Sequence, residues 1–220
     1  WDAALVYEGK VGDFELAGRV GYAEYTDESS GPGSDHCLGP NGSVSGIKCR
    51  EFGASGTIWH KPSGLYVYGA YGQLQDDRYE ATDLAPVDDE DRLYYVQVGI
   101  EKKWYALGKT TVFGTYRHDD VGARGTFGGP AGLGLAVADE DADGDTIPNY
   151  LVSGSDVDTW GGGVVQNIEA AAMDLYLIYS HIDGDFDALC IDDKTCALNS
   201  VTNIELNSLQ LLQAGARIQF

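Results

Sequence analysis

Apolar and polar side chains alternate with a period of two along most of this chain, and the 3.6-residue recurrence of an amphipathic helix is almost absent. A period of two sends successive side chains to opposite faces of a strand. Gly, Asp, Asn and Pro break the alternation where turns are expected. Nine strands are predicted, at about 2–8, 13–25, 50–60, 65–76, 92–104, 110–119, 157–168, 172–182 and 208–220. In 13–25, Phe14, Leu16, Gly18, Val20 and Tyr22 share one face, and Asp13, Glu15 and Arg19 share the other. In 92–104, Tyr94, Val96, Val98 and Ile100 oppose Gln97, Glu101 and Lys103. Met173, Leu175, Leu177 and Tyr179 oppose Asp174 and Ser180, while Leu212, Ala214, Ala216, Ile218 and Phe220 oppose Gln213, Arg217 and Gln219.

The connections alternate in length. Short turns fall at 9–12, 61–64, 105–109 and 169–171, and long loops at about 26–49, 77–91, 120–156 and 183–207. An up-and-down transmembrane barrel has short turns on one side of the membrane and long loops on the other. Alternation alone does not separate a soluble barrel, apolar inside, from a membrane barrel, apolar outside. Two features favour the membrane. The strands suit the roughly 9–11 tilted residues that cross a bilayer, and an Arg facing lipid at mid-membrane costs roughly 2–4 kcal/mol, which turns Arg19, Arg117 and Arg217 inward. The fold class expected is therefore all-β, one antiparallel up-and-down transmembrane barrel domain over residues 1–220. Its candidate pore-lining residues are Glu15, Arg19, Gln97, Glu101, Lys103, Arg117, Asp174 and Arg217. Their alternative role is structural, each Arg pairing with an acid such as Glu15, Glu101 or Asp174. Tyr22, Tyr116 and Tyr179 near the long loops, with Tyr66 and Trp104 near the short turns, are candidates for two aromatic girdles; Trp59, on the polar face, departs from that pattern.

Composition sharpens this picture. The 220 residues carry 35 acidic against 14 basic side chains, a formal net charge of −21. Nucleic-acid phosphates need Lys/Arg neutralisation, so nucleic acid is excluded as a partner. At 43% hydrophobic and 11% aromatic the chain supports a folded structure. No run of 18 apolar residues is present, which rules out a membrane-spanning helix but not strands. Residues 25–49, 76–91, 120–156 and 183–207 hold 24 of the acids and a balance of −20. Two readings stand: soluble loops that happen to be acidic, or a vestibule that concentrates cations by focused negative potential.

Two segments carry candidate chemistry. Asp141, Asp143 and Asp145 alternate ahead of Asn149, so that three carboxylates and a backbone carbonyl can converge on one hard cation. The segment resembles the calcium-binding repeats of thrombospondin type 3, with Thr146 where a glycine is usual and no Glu at Val152. A Ca²⁺ site in the external loop at 139–149 is one reading, and loose divalent binding by an acidic loop the other. The four cysteines form two close pairs, Cys37/Cys49 and Cys190/Cys196, without C-x-x-C spacing or a companion His cluster. Zinc fits poorly, and two local disulfides made in an oxidising compartment are expected. No cofactor is required by this reading. The start Trp1-Asp2-Ala3 has no initiator Met, basic stretch or apolar stretch of a signal, so any targeting segment is expected to have been removed or to lie outside this sequence. The expected disulfides point to an exported protein.

The final strand, with Leu212, Ala214, Ala216 and Ile218 alternating up to a terminal Phe220, resembles the closing strand of Gram-negative outer-membrane proteins. The opening through Gly9-Lys10-Val11-Gly12 to Tyr22 resembles a strand–turn–strand of the 16-stranded trimeric porins, of the alphaproteobacterial type. That resemblance implies a bacterial outer-membrane location, a homotrimer, contact with outer-membrane lipid and lipopolysaccharide, and Phe220 as part of the signal read by the barrel-assembly machinery. Single-chain bacterial barrels have an even number of strands. Nine strands are therefore expected to be the C-terminal portion of a larger barrel, about strands 8–16; a ten-stranded barrel with one strand unrecognised competes. The function implied is a water-filled channel for passive diffusion of ions and small hydrophilic solutes, not an enzyme. The alternatives are an anchor or adhesin working through its braced acidic loops, and an outer-membrane hydrolase. His118, Asp119 and Asp120 sit where outer-membrane proteases place acid/His pairs, but adjacent strand residues diverge to opposite faces. His36, His60 and His181 complete no Ser/His pattern, and no phosphate-binding loop or dinucleotide fingerprint occurs.

Overall fold

The computed structural model describes residues 1–27, 35–36, 39–40, 47–76, 90–122, 136–137, 150–190, 197 and 199–218. The fold is all-β, an antiparallel up-and-down sheet. Its strands are β1 (Asp2–Val11), β2 (Phe14–Asp27), β3 (Asp35–His36), β4 (Gly39–Pro40), β5 (Ile47–His60), β6 (Leu65–Asp76), β7 (Glu90–Tyr105), β8 (Gly108–Gly122), β9 (Ala136–Val137), β10 (Tyr150–Ile168), β11 (Met173–Cys190), β12 (Val201–Glu205) and β13 (Leu209–Ile218). Spatial order follows chain order, β1-β2-β5-β6-β7-β8-β10-β11. Beyond β10, the far edge of β11 is shared by two strands: β13 covers the lower part of β11, from Met173, and β12 the part near Cys190. The pair β3–β4 stands apart, and β9 joins the tip of β10. Among the described residues the outer edges of β1, β12 and β13 have no partner strand.

Tight connections follow from local sequence. Gly12 (φ 58°) and Gly64 (φ 76°) take the left-handed conformation that turns the β1–β2 and β5–β6 hairpins. The β10–β11 hairpin turns through a short 3₁₀ segment, Glu169–Ala171. A bulge between Lys102 and Tyr105 closes β7–β8.

Register sorts the side chains into two faces. One gathers Leu5, Leu16, Ile58, Val67, Val98, Val112, Val164, Leu177 and Ala214 across nine strands, whose cross-strand partners are also small or apolar. The apolar face is the more exposed of the two. Along β7, Tyr94, Val96 and Val98 are exposed while the intervening Tyr95 and Gln97 are half-buried, and Val98 keeps 52% of its surface, Ile58 54% and Leu177 51%. Side chains on a convex surface splay apart, and those on a concave one crowd together. The sheet therefore curves with its apolar face outward, the reverse of a water-soluble β-sandwich.

Three expected loop segments are strand instead. Residues 150–156 and 183–190 extend β10 and β11 to 19 and 18 residues, and 201–205 form β12. Asp and Gly are depleted in strands, so Asp156, Asp183, Asp185 and Asp187 read as loop. In the fold, backbone pairing holds these residues, and their carboxylates project beyond the apolar band. Strand β12 is short and set off from β13 by a bend where Leu206 N–H donates to Gly184 O (2.9 Å).

Candidate functional site

The candidate site is the concave face. Register brings seven predicted wall residues, Glu15, Arg19, Gln97, Glu101, Arg117, Asp174 and Arg217, onto it together. Lys103 lies just past the last regular β7–β8 pair and bonds Glu169 (2.8 Å). Most of these charges are paired. Glu15 takes Lys10 and Lys61, each at 2.8 Å. Lys109 bonds Glu101 at 2.7 Å, and Arg217 bonds Asp174 at 2.7 Å. Arg117 grips Asp119 through two donors, at 2.5 and 2.6 Å. Among the described residues Arg19 has no ion-pair partner, and it leaves one uncompensated cation on the wall.

Aromatic rings share this face. Gln97 Nε2 donates to Tyr66 Oη (2.6 Å), and Tyr95 Oη donates to Gln97 Oε1 (2.7 Å), so one amide ties two phenols. Lys61 Nζ sits 3.7 Å from the centroid of the Trp59 ring. Tyr66, expected in a girdle, faces this side because it is the register partner of Gly99, alongside Trp59. Two hollows open on the concave side. One of about 580 Å³, near the outer ends of the strands, has Asp2, Glu51, Asp91 and Asp119 among the residues around it. Another of about 470 Å³, near the short turns, is walled by Glu8, Lys10, Glu15, Thr57 and Trp59.

The convex face carries an aromatic row where the apolar residues end. Trp1 meets Tyr22 (5.1 Å), Phe52 meets Tyr71 (5.9 Å) and Tyr71 meets Tyr94 (5.1 Å). Tyr94 then reaches His118 (6.0 Å), and Trp160 lies beside Tyr179 (6.1 Å) and His181 (4.8 Å). Tyr22 and Tyr179 stand in this row as expected, and Tyr116 is the register partner of Trp160. Above it come charges: Glu24, Arg50, Arg92, Asp120, Asp156 and Asp183. Burial pushes the Asp156 carboxyl above its ordinary value; the Asp185 charge pushes the same way, His118 opposes it, and Asp187 and Asp158 add to the rise.

His118 and Asp119 diverge as the pleat requires. His118 Nδ1 bonds Asp158 (2.9 Å) on the convex side, while Asp119 holds Arg117 on the other. One Ser–His contact was not legible in the sequence: His60 Nδ1 and Ser63 Oγ lie 2.6 Å apart. Ser63 Oγ also accepts from Leu65 N–H (3.2 Å) and donates to His60 O (3.3 Å), which are the bonds of a turn. Among the described residues no three His, Cys, Asp or Glu side chains are grouped to hold a metal. Asp141, Asp143, Asp145 and Asn149 lie outside the described residues, as do Cys37, Cys196 and Phe220. Cys49 and Cys190 are disulfide-bonded. No protein-family model, curated protein or solved structure matches the chain.

Proposed function

We propose that this chain forms the wall of an outer-membrane β-barrel porin, a water-filled channel for passive diffusion of ions and small hydrophilic solutes. The observation that carries this reading is the inverted distribution of polarity. Large apolar side chains are exposed on the convex face up to an aromatic row, and charged and hydrogen-bonding groups line the concave one. In water such an apolar band is far larger than the patches monomers expose. In a bilayer it meets lipid, the Tyr and Trp rings sit at the headgroups, and the ladder satisfies the backbone. Residues 14–22 of β2, the apolar stretch, give about the nine tilted residues needed to cross. The free edges of β1 and β13 are paired in the working barrel, because unpaired backbone groups in hydrocarbon cost several kcal/mol each. Outer-membrane lipid contacts the convex band, and lipopolysaccharide the charged row above it.

The test is conductance of natively extracted protein in planar bilayers under a salt gradient. Stepwise ohmic openings are the expected result, and steps in threes would fit the trimer. Correctly folded protein that inserts and stays silent would overturn the reading. A second reading, an anchor whose outer part does the work, is favoured by the small buried core at the outer ends of β10 and β11; it expects the silent result.

A further inference from the structure

The two rims of the apolar band differ in charge. At the outer ends of β10 and β11, Asp156, Asp158, Asp183 and Asp185 share the convex side, and neither strand contains a Lys or Arg. At the other rim, five of the chain's seven lysines, Lys10, Lys61, Lys102, Lys103 and Lys109, stand in or beside the short turns. Four of these five are held by carboxylates. Glu15 takes Lys10 and Lys61, Glu169 takes Lys103, and Glu101 takes Lys109. Lys102 is the fifth, and among the described residues it has no ion-pair partner.

Register puts Lys102 on the apolar side. It keeps the parity of Val98 and Ile100 and pairs with Thr110, one step before the bulge that closes β7–β8. Its stem lies along the β5–β6 turn, where a Cβ added at Gly64 would come 3.1 Å from Lys102 Cγ. Just beyond, the β7–β8 turn exposes three large apolar side chains in a short span, Trp104, Tyr105 and Leu107. Side chains of this kind settle at a bilayer interface: the rings and Leu lie at the edge of the hydrocarbon, and the ammonium snorkels to the headgroups. We infer that this rim is a binding site for an anionic phospholipid of the leaflet on the short-turn side. Lys102 takes the phosphate, and Trp104, Tyr105 and Leu107 lie against the glycerol and upper acyl carbons. The inference rests on the reading of the convex face as lipid-facing. Charge selects the lipid. A zwitterionic headgroup carries its own cation beside the phosphate and gains little from Lys102, whereas phosphatidylglycerol leaves that ammonium as the counter-charge. At the opposite rim its phosphate would face the aspartates.

For the test, natively extracted protein is reconstituted in phosphatidylcholine vesicles. These are doped with brominated phosphatidylglycerol or brominated phosphatidylcholine at one mole fraction, and tryptophan quenching is read. Apparent binding of the brominated phosphatidylglycerol should be about fivefold the stronger, the worth of one lysine at a membrane surface. Lys102→Gln should bring the ratio to within about twofold of one, and Lys102→Arg should restore it. Trp104→Phe should remove the excess quenching, which locates it at this turn. Equal quenching by the two lipids, or a preference that persists in Lys102→Gln, overturns the site. Conductance of the same preparation separates the site from the pore. Open channels without the preference overturn the site alone, and a Lys102-dependent preference in protein that passes no current upholds the site and overturns the porin. Quenching by neither lipid overturns the lipid-facing reading, and the site and the porin with it.

Discussion

Strand β11 passes through two regions built on opposite terms. In its lower part Leu175 and Leu177 keep 42% and 51% of their surface exposed, while near its outer end Ala188, Leu189 and Cys190 keep 2%, 0% and 0%. Among the described residues the buried apolar side chains are Cys49, Val152, Ala188, Leu189 and Cys190, every one beyond the aromatic row. The outer region is a small water-type core: β11 is flanked there by β10 and β12, Ser153 Oγ donates to Asp187 O (3.3 Å), and Cys190 is disulfide-bonded. The lower region has a hydrogen-bonded ladder and no core of its own. The same period-two alternation serves both. On the proposed membrane reading, what differs is the solvent each face meets: water around the outer part, and hydrocarbon against the lower part's convex side.

Substitutions aimed at one region at a time test that contrast. Leu189→Ala empties a fully buried site and should destabilise the outer core by about 2–5 kcal/mol. Amide hydrogen exchange should speed up at 185–190 and 201–205 while protection of β7 and β8 persists; equal loss in both regions would show a single cooperative unit. Val96→Arg, on the convex face, should cost about 2–4 kcal/mol in lipid, read as a lowered urea midpoint for folding into vesicles. The neighbouring Gln97→Arg, on the concave face, should cost far less. Equal costs would mean that the apolar face is not in lipid. Asp156→Asn should have the smallest effect, because the side chain is half exposed and screened. Its carboxyl is raised in the fold, so the native state holds that proton more tightly than the unfolded chain. This contribution is present below the ordinary Asp value, about 3.9, and is lost as pH climbs through the raised value. Asp156→Asn should flatten that fall in outer-core stability, and an unchanged pH profile would assign it to the other carboxylates.

Much of this was legible in the chain. Strong alternation located all nine long strands, because a face repeated every two residues admits one element type. It also placed Glu15, Arg19, Gln97, Glu101, Arg117, Asp174 and Arg217 on one side, since parity along a strand is a local property. Segments 150–156, 183–190 and 201–205 were misread because their Asp and Gly content resembles loops, and the pairing that holds them comes from strands far off in sequence. The rings of Tyr66, Phe113 and Tyr176, which lie over Gly99, Gly163 and Gly215 of the neighbouring strands, were hidden for a related reason. A glycine opposite an aromatic is invisible until register is known, and register belongs to two strands at once.

Sequence by itself determined the element type, the strand order and which side chains share a face, all of which follow from local periodicity and short connections. Only the tertiary structure decided which face is convex. Alternation is symmetric between an apolar inside and an apolar outside. The sheet's curvature breaks that symmetry, and curvature is the sum of twist, register and glycine placement over all its strands.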